Sequence, residues 1–175
     1  MKTIIVDNFF EDPDSIRKFA LNLEYTPRQS HQYFEGIRSR PLHELDINLY
    51  NSICSKIILE YYGHANYQYE GPIYFHQTRE RDKKDTQWIN DKIHRDKAVT
   101  AGIVYLTPDA PLNCGTQTYQ KYGDNFVPDV IMGNYYNRLI AYDANSYHSA
   151  TNFFGEGPNS RLCMLFFLEK IERLT

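Results

Sequence analysis

Apolar positions along the chain change their texture near residue 66. Before it they recur every three or four residues; after it they come in short alternating runs. Residues 3–10 predict a short strand. Asp12-Pro13 then predicts a helix start, with Asp12 as N-cap and Pro13 at the first helical position. Ile16, Phe19, Ala20 and Leu23 follow on one face, and Pro27 lies beyond the end. Leu42, Leu45, Leu49, Ile53 and Ile57 predict a second helix over 42–62, closed by Gly63. From Tyr67 onward, runs of Tyr, Ile, Val and Phe alternate with Gly, Pro, Asn and Asp. They predict strands at 67–77, 86–94, 99–106, 116–120, 129–133, 137–143, 147–154 and 160–169. Two helices followed by about eight strands define an α+β, mainly β, chain, and eight strands suit a double-sheet jelly roll.

The last of these strands places itself. Leu162, Met164, Phe166 and Leu168 face one way, and Cys163, Leu165 and Phe167 face the other. A strand apolar on both faces is covered on both sides, so the N-terminal helices are expected to back one sheet. Arg161 opens the strand on the face of Cys163 and Leu165. A guanidinium pointing into a sandwich needs an anionic partner, either a protein carboxylate or a ligand.

Length and composition add bounds. The 175 residues fit a single domain, 1–175, with a strand and supporting helices in 1–66 and a jelly-roll core in 67–175. The formal charge of −3 argues against a dedicated nucleic-acid binder. No apolar run reaches membrane-spanning length, so no membrane partner is expected. The start, Met1-Lys2-Thr3-Ile4-Ile5-Val6-Asp7, lacks the apolar stretch of a secretory signal. The three cysteines are scattered and suggest no disulfide framework. The expectation is a cytoplasmic protein. With 15 Tyr and 10 Phe against one Trp, the chain is rich in residues suited to half-buried strands and pocket rims.

The chemistry-bearing residues begin at His94-Arg95-Asp96. In an extended segment His94 and Asp96 share a face and Arg95 points away, so imidazole and carboxylate can grip one cation. Chance alone yields about 0.4 such pairs in a chain of this composition, so the pair by itself carries little weight. His148 lies 52 residues beyond Asp96, and Arg161 a further 13. Two histidines and one carboxylate on one side of a metal leave the other side open, the arrangement of non-haem Fe(II) oxygenases. An Arg fork suits the far carboxylate of a bidentate 2-oxo acid.

The order His94-x-Asp96, His148, Arg161 resembles the 2-oxoglutarate/Fe(II)-dependent oxygenase superfamily. The segment Ala101–Pro108 resembles the strand after the first ligands in prolyl-hydroxylase-like members. Asn113-Cys114-Gly115-Thr116 resembles their Gly-containing turn, and Tyr147-His148, Phe154-Gly155 and Ser160-Arg161 resemble the closing segment of small bacterial and phage-type members. The resemblance spans roughly residues 67–170 and implies a double-stranded β-helix. It further implies Fe(II) ligation by His94, Asp96 and His148, with Arg161 on the distal carboxylate of 2-oxoglutarate and Tyr105 assisting. The implied reaction consumes O2 and 2-oxoglutarate, releases succinate and CO2, and hydroxylates a small molecule or a protein side chain. Many relatives carry two glycines where this chain has Cys114-Gly115. The Arg and Asn cluster of the nucleic-acid demethylase branch is absent after Arg161, which is followed by Leu162-Cys163-Met164-Leu165.

Other residues have blander readings. Trp88 and Asn90, on the approach to His94, are candidate substrate contacts, a core role for Trp88 being equally open. His31, His43, His64 and His76 read as surface or loop histidines. Residues 76–85 mix both charge signs and read as a solvated loop, with a lid as the alternative. Asp143 reads as a turn residue and Arg138 as a surface charge. Two further function classes stand beside the oxygenase. One is a cupin-type metalloenzyme that ignores 2-oxoglutarate, against which the inward Arg161 speaks. The other is a catalytically silent binding module, against which the complete ligand set speaks.

Overall fold

A computed structural model describes residues 2–27, 34–64, 66–82 and 92–174. Strand β1 (Thr3–Val6) is followed by helix α1 (Pro13–Leu21), short strands β2 (Tyr25–Pro27) and β3 (Ile37–Ser39), and helices α2 (Leu42–Leu45) and α3 (Ile47–Tyr62). Strands β4 (Tyr67–Glu70), β5 (Ile73–Thr78), β6 (Thr100–Tyr105), β7 (Thr116–Tyr122), β8 (Asn125–Met132), β9 (Leu139–Asp143), β10 (Tyr147–Ala150), β11 (Arg161–Leu168) and β12 (Lys170–Arg173) complete the chain.

Local chemistry sets the breaks. Asp12 caps α1 through Ser15 N–H, and Gly63 closes α3 in the left-handed region, φ 83°. The single helix expected over 42–62 is two. Asp46 is extended, and its carboxylate accepts from Leu49 N–H at 2.9 Å, so it ends α2 and caps α3. The single strand expected over 67–77 is also two. Gly71 has φ 143°, and a Cβ there would sit 1.9 Å from the Phe167 carbonyl oxygen. Pro72, which follows it, has no N–H to give to a ladder. β2, β3 and β12 escaped the sequence reading because they are three or four residues long, too short to display alternation. Residues 86–91 of the strand expected over 86–94 lie outside the described residues.

The large sheet is antiparallel with order β1-β9-β6-β11-β5-β3-β2. A smaller sheet has order β10-β7-β8, and β12 pairs with β4. His94 extends the small sheet through a bridge to His148 on β10. Core strands therefore alternate between sheets: β5 large, His94 small, β6 large, β7 and β8 small, β9 large, β10 small, β11 large. This is the expected double-stranded β-helix. The N-terminal third supplies sheet as well as helix, since β1 pairs with β9 and β3 with β5.

β11 is central and covered twice. Leu162, Met164, Phe166 and Leu168 meet Ala20, Leu42, Ile53, Cys54, Ile57 and Ile58 of the helices in one core. Cys163 joins Ala101, Ile103, Tyr105, Ile140, Tyr142 and Met132 between the sheets, with Leu165 and Phe167 against them. Gly102 leaves space for the Phe166 ring: a Cβ there would lie 2.4 Å from it. Among the described residues no helix is long and apolar enough to cross a membrane.

Phe166→Ala is expected to cost about 3–5 kcal/mol of stability, since the residue is fully buried between β11, β6 and the helices. Urea unfolding measures it; a loss below about 1 kcal/mol would contradict the two-layer packing.

Candidate metal centre and cavity

The segment carrying His94 and Asp96 is pinned by backbone bonds. His94 and His148 exchange N–H···O bonds of 3.0 and 2.9 Å, and Asp96 N–H reaches the Ala144 carbonyl at 2.9 Å. Asp143 shapes the neighbouring turn by accepting from Asn145 N–H at 3.0 Å, the turn role its sequence context suggested. Pleating then does the rest. Arg95 points away, lying 4.9 Å over the Tyr147 ring and donating to Asn145, while His94 and Asp96 face inward.

The ligand atoms of His94, Asp96 and His148 all lie within 4.8 Å of one another. Asp96 Oδ1 is 3.6 Å from His94 Nε2, and Asp96 Oδ2 is 3.3 Å from His148 Nε2. Both imidazoles are oriented from behind. His94 Nδ1 donates to the Lys92 carbonyl at 2.7 Å and His148 Nδ1 to the Ser146 carbonyl at 2.9 Å. A carbonyl only accepts, so Nδ1 carries the proton and each neutral ring turns an Nε2 lone pair toward the carboxylate. Acceptors facing acceptors require a cation between them, either protons on the rings or a metal. Asp96 Oδ2 is buried and lacks a well-formed hydrogen bond, which agrees with that need. Burial pushes the Asp96 carboxyl up, but when the two rings are protonated the hydrogen bonds from His148 and His94 and their charge outweigh it, holding it well below the usual carboxylate range. Burial pushes His94 down, but its bonds to Asp96 and to the Lys92 carbonyl leave it raised above the ordinary histidine value. The donor set of two imidazoles and a carboxylate fits a divalent first-row metal.

These residues open on a cavity of about 660 Å³ between the sheets. Arg161 lines the same cavity and is 3% exposed. Its Nε donates to the Cys114 carbonyl at 2.9 Å and an Nη to Gly115 at 3.4 Å. Among the described residues no carboxylate pairs with it. The sequence reading left two partners open for Arg161, a protein carboxylate or a ligand; the described residues do not supply the first. Tyr105 stands behind the wall, its ring 5.4 Å from the Arg161 guanidinium and its hydroxyl 2.8 Å from Thr116 Oγ1, and Thr116 itself lines the cavity. Burial pushes the Tyr105 phenol up to about 12, so it stays neutral. The Tyr142 ring packs 4.6 Å from His148 and, with Ile103, Leu165 and Phe167, makes the cavity wall apolar.

Trp88 and Asn90 lie outside the described residues, as do His31 and residues 83–85. His76 is no loop histidine. It sits in β5, is buried, lines the cavity and bonds the Glu35 carbonyl at 2.6 Å. Burial, with the charges of Arg38 and Arg161, pushes its pKa well down, so it is neutral. Arg38 on β3 also lines the cavity, and nothing in the sequence singled it out, because a three-residue strand shows no face. Arg138 is paired rather than merely solvated, forking onto Asp7 at 2.6 and 2.8 Å.

No family model and no curated protein matches the sequence. Solved structures do match in shape. The IDO of Bacillus thuringiensis superposes with a TM-score of 0.54 at 12% identity, over 99% of this chain and 93% of that one. The Fe(II)/(alpha)ketoglutarate-dependent dioxygenase TqaL gives 0.54 at 14%, over 96% and 82%. A prolyl hydroxylase from Trichoplax adhaerens, solved with a peptide fragment of the hypoxia inducible factor oxygen degradation domain, gives 0.50 at 11%, over 95% and 83%. At such identities the likeness concerns the fold. The chain has a 2-oxoglutarate/Fe(II) oxygenase-like fold.

Substituting Asp96 by Ala removes the only carboxylate of the cluster, and His148→Ala one of its two nitrogens. Each is expected to weaken divalent-metal binding at least about a hundredfold in calorimetric titration, roughly 2.7 kcal/mol or more. The affinity is also expected to fall with decreasing pH, beginning above the ordinary histidine pKa because His94 is raised and the metal must displace its proton. A metal affinity flat between pH 8 and about 5.5 would contradict imidazole ligation.

Proposed function

We propose that the protein is an Fe(II)- and 2-oxoglutarate-dependent oxygenase that hydroxylates a substrate held in the cavity, releasing succinate and CO2. The observation that carries this reading is the presence in one cavity of the His94–Asp96–His148 cluster and of a buried Arg161 that no carboxylate among the described residues pairs with. His94, Asp96 and His148 would hold Fe(II). When bound, the iron supplies the oxidation chemistry that no side chain can perform.

The chain's own residues bind, orient and exclude water. Arg161 presents a fork to the distal carboxylate of 2-oxoglutarate. The Cys114 and Gly115 carbonyls and the Tyr105 ring hold that fork in place, so little order is lost on binding. Two backbone carbonyls fix the imidazole tautomers. Tyr142, Leu165 and Phe167 keep the wall dry, which strengthens every charged contact inside. His76 stays neutral beside them and does not compete for the carboxylates. The substrate would be a small molecule or a protein side chain, met in the cytoplasm, rather than a nucleic acid.

Anaerobic addition of 2-oxoglutarate to the Fe(II)-loaded protein is expected to produce the visible charge-transfer band of a chelated 2-oxo acid. Arg161→Ala should keep the metal and lose 2-oxoglutarate affinity by about tenfold to a hundredfold, the range of a lost charged hydrogen-bond pair. Metal binding without a band would replace this reading with a cupin-type reaction independent of 2-oxoglutarate. Equal 2-oxoglutarate affinity in wild type and Arg161→Ala would remove the arginine from its role.

A further inference from the structure

The cavity lining holds an arginine, Arg38, that the oxygenase reading leaves without a task. Arg38 pairs in register with His76 of β5, and His76 with Cys163 of β11, so all three lie on the inner face of the large sheet. The Arg38 guanidinium lies 3.9 Å from the Phe34 ring, 5.5 Å from Tyr74 and 5.8 Å from Phe167. Its Nε is buried without a hydrogen-bond partner, and among the described residues no carboxylate pairs with it. Glu35, nearby in the lining, is engaged by Lys92 at 2.7 Å. Burial pushes Arg38 down to about 10, so it remains charged at neutral pH. Arg38 lines the same cavity as Asp96 and His94. Arg161, by contrast, is held at the start of β11 by two backbone carbonyls.

A guanidinium held on an aromatic wall with its Nε buried and unpartnered is costly unless something anionic completes it. Resting on the oxygenase reading, we propose that Arg38 binds the carboxylate of the primary substrate, a small free carboxylic acid whose apolar body lies along Phe167, Leu165 and Tyr74. Guanidinium geometry suits a planar carboxylate through two parallel hydrogen bonds. The rings that hold the guanidinium also shield the pair from water. The cavity has the volume of a site for one small molecule besides the cosubstrate. Anchored there, the acid would present its apolar carbons rather than its carboxylate to the metal.

The test uses the full chain loaded with Zn(II), an inert stand-in, and saturated with 2-oxoglutarate so that Arg161 is occupied. Short aliphatic, aryl and α-amino monocarboxylic acids are screened by ligand-observed NMR, each beside its neutral primary amide. Acids are expected to bind and amides not. Arg38→Gln should weaken the best acid at least about tenfold, Arg38→Lys should restore part of it, and both should hold 2-oxoglutarate within about twofold of wild type. The proposal is overturned if amides bind as well as acids, if Arg38→Gln leaves acid affinity intact, or if no acid binds. It is also overturned if Arg38→Gln abolishes 2-oxoglutarate binding while Arg161→Ala does not, an exchange of roles that leaves the oxygenase reading standing. Failure of the wild type to bind 2-oxoglutarate at all is the distinct result that ends the oxygenase reading and this inference together.

Discussion

A strand that is apolar on both faces must be covered twice, and β11 is that strand. Its outer face recruits α1, α2 and α3; its inner face recruits the second sheet. Every other feature follows from that double demand. The helices hold the large sheet, and the large sheet offers one face to a cavity rather than to solvent. Because β11 begins with a residue on the inner face, Arg161 is carried into the cavity by the same alternation that buries Cys163, Leu165 and Phe167. The burial free energy of the strand's apolar residues offsets the cost of placing a guanidinium there.

The candidate metal ligands come from the other side of the cavity, and backbone rather than side-chain chemistry brings them together. The paired bonds between His94 and His148 cross 54 residues of chain and fix two imidazoles side by side, with ring centroids 4.4 Å apart. Asp96 then needs only the two-residue repeat of an extended chain to join them. A cluster assembled from three side chains on rigid backbone is preorganised, with little conformational entropy left to lose when a cation arrives. Tyr142, Ile103, Leu165 and Phe167 make part of the wall beyond it apolar, and Asp96, Arg161 and Arg38 are charged groups set into the same lining.

Much of this was legible in the sequence where a physical rule has a fixed period. The two-residue repeat placed His94 with Asp96, turned Arg95 outward and put Arg161 on the Cys163 face. The helical period placed α1 and α3. Legibility failed where single residues override a period: Asp46 interrupts a helical apolar pattern to cap α3, and Gly71 breaks a strand against the Phe167 carbonyl. It failed again where elements are short. β3 has three residues, so its sequence Ile37-Arg38-Ser39 shows no inner face. His76 read as part of a charged loop because its neighbours Arg79 to Lys84 are charged, yet pairing with both β3 and β11 buries it.

Arg38 and Arg161, neither paired with a carboxylate among the described residues, share one cavity with the candidate metal cluster. A divalent metal at His94, Asp96 and His148 would add two positive charges against the single carboxylate of Asp96. Arg38 and Arg161 add two more, and His76 is kept neutral by burial and by both of them. Like charges confined in low dielectric repel strongly. On the proposed reading a 2-oxo diacid would offset two of these positive charges, one at the metal and one at Arg161. Arg38, on its aromatic wall, would then be left for a monocarboxylate to offset, as proposed above. On that reading, binding of the cosubstrate and selection of an anionic substrate would answer one electrostatic requirement in two steps. Each ligand would bind better in the presence of the metal than without it, and neutral molecules of the same shape would leave a buried charge uncompensated.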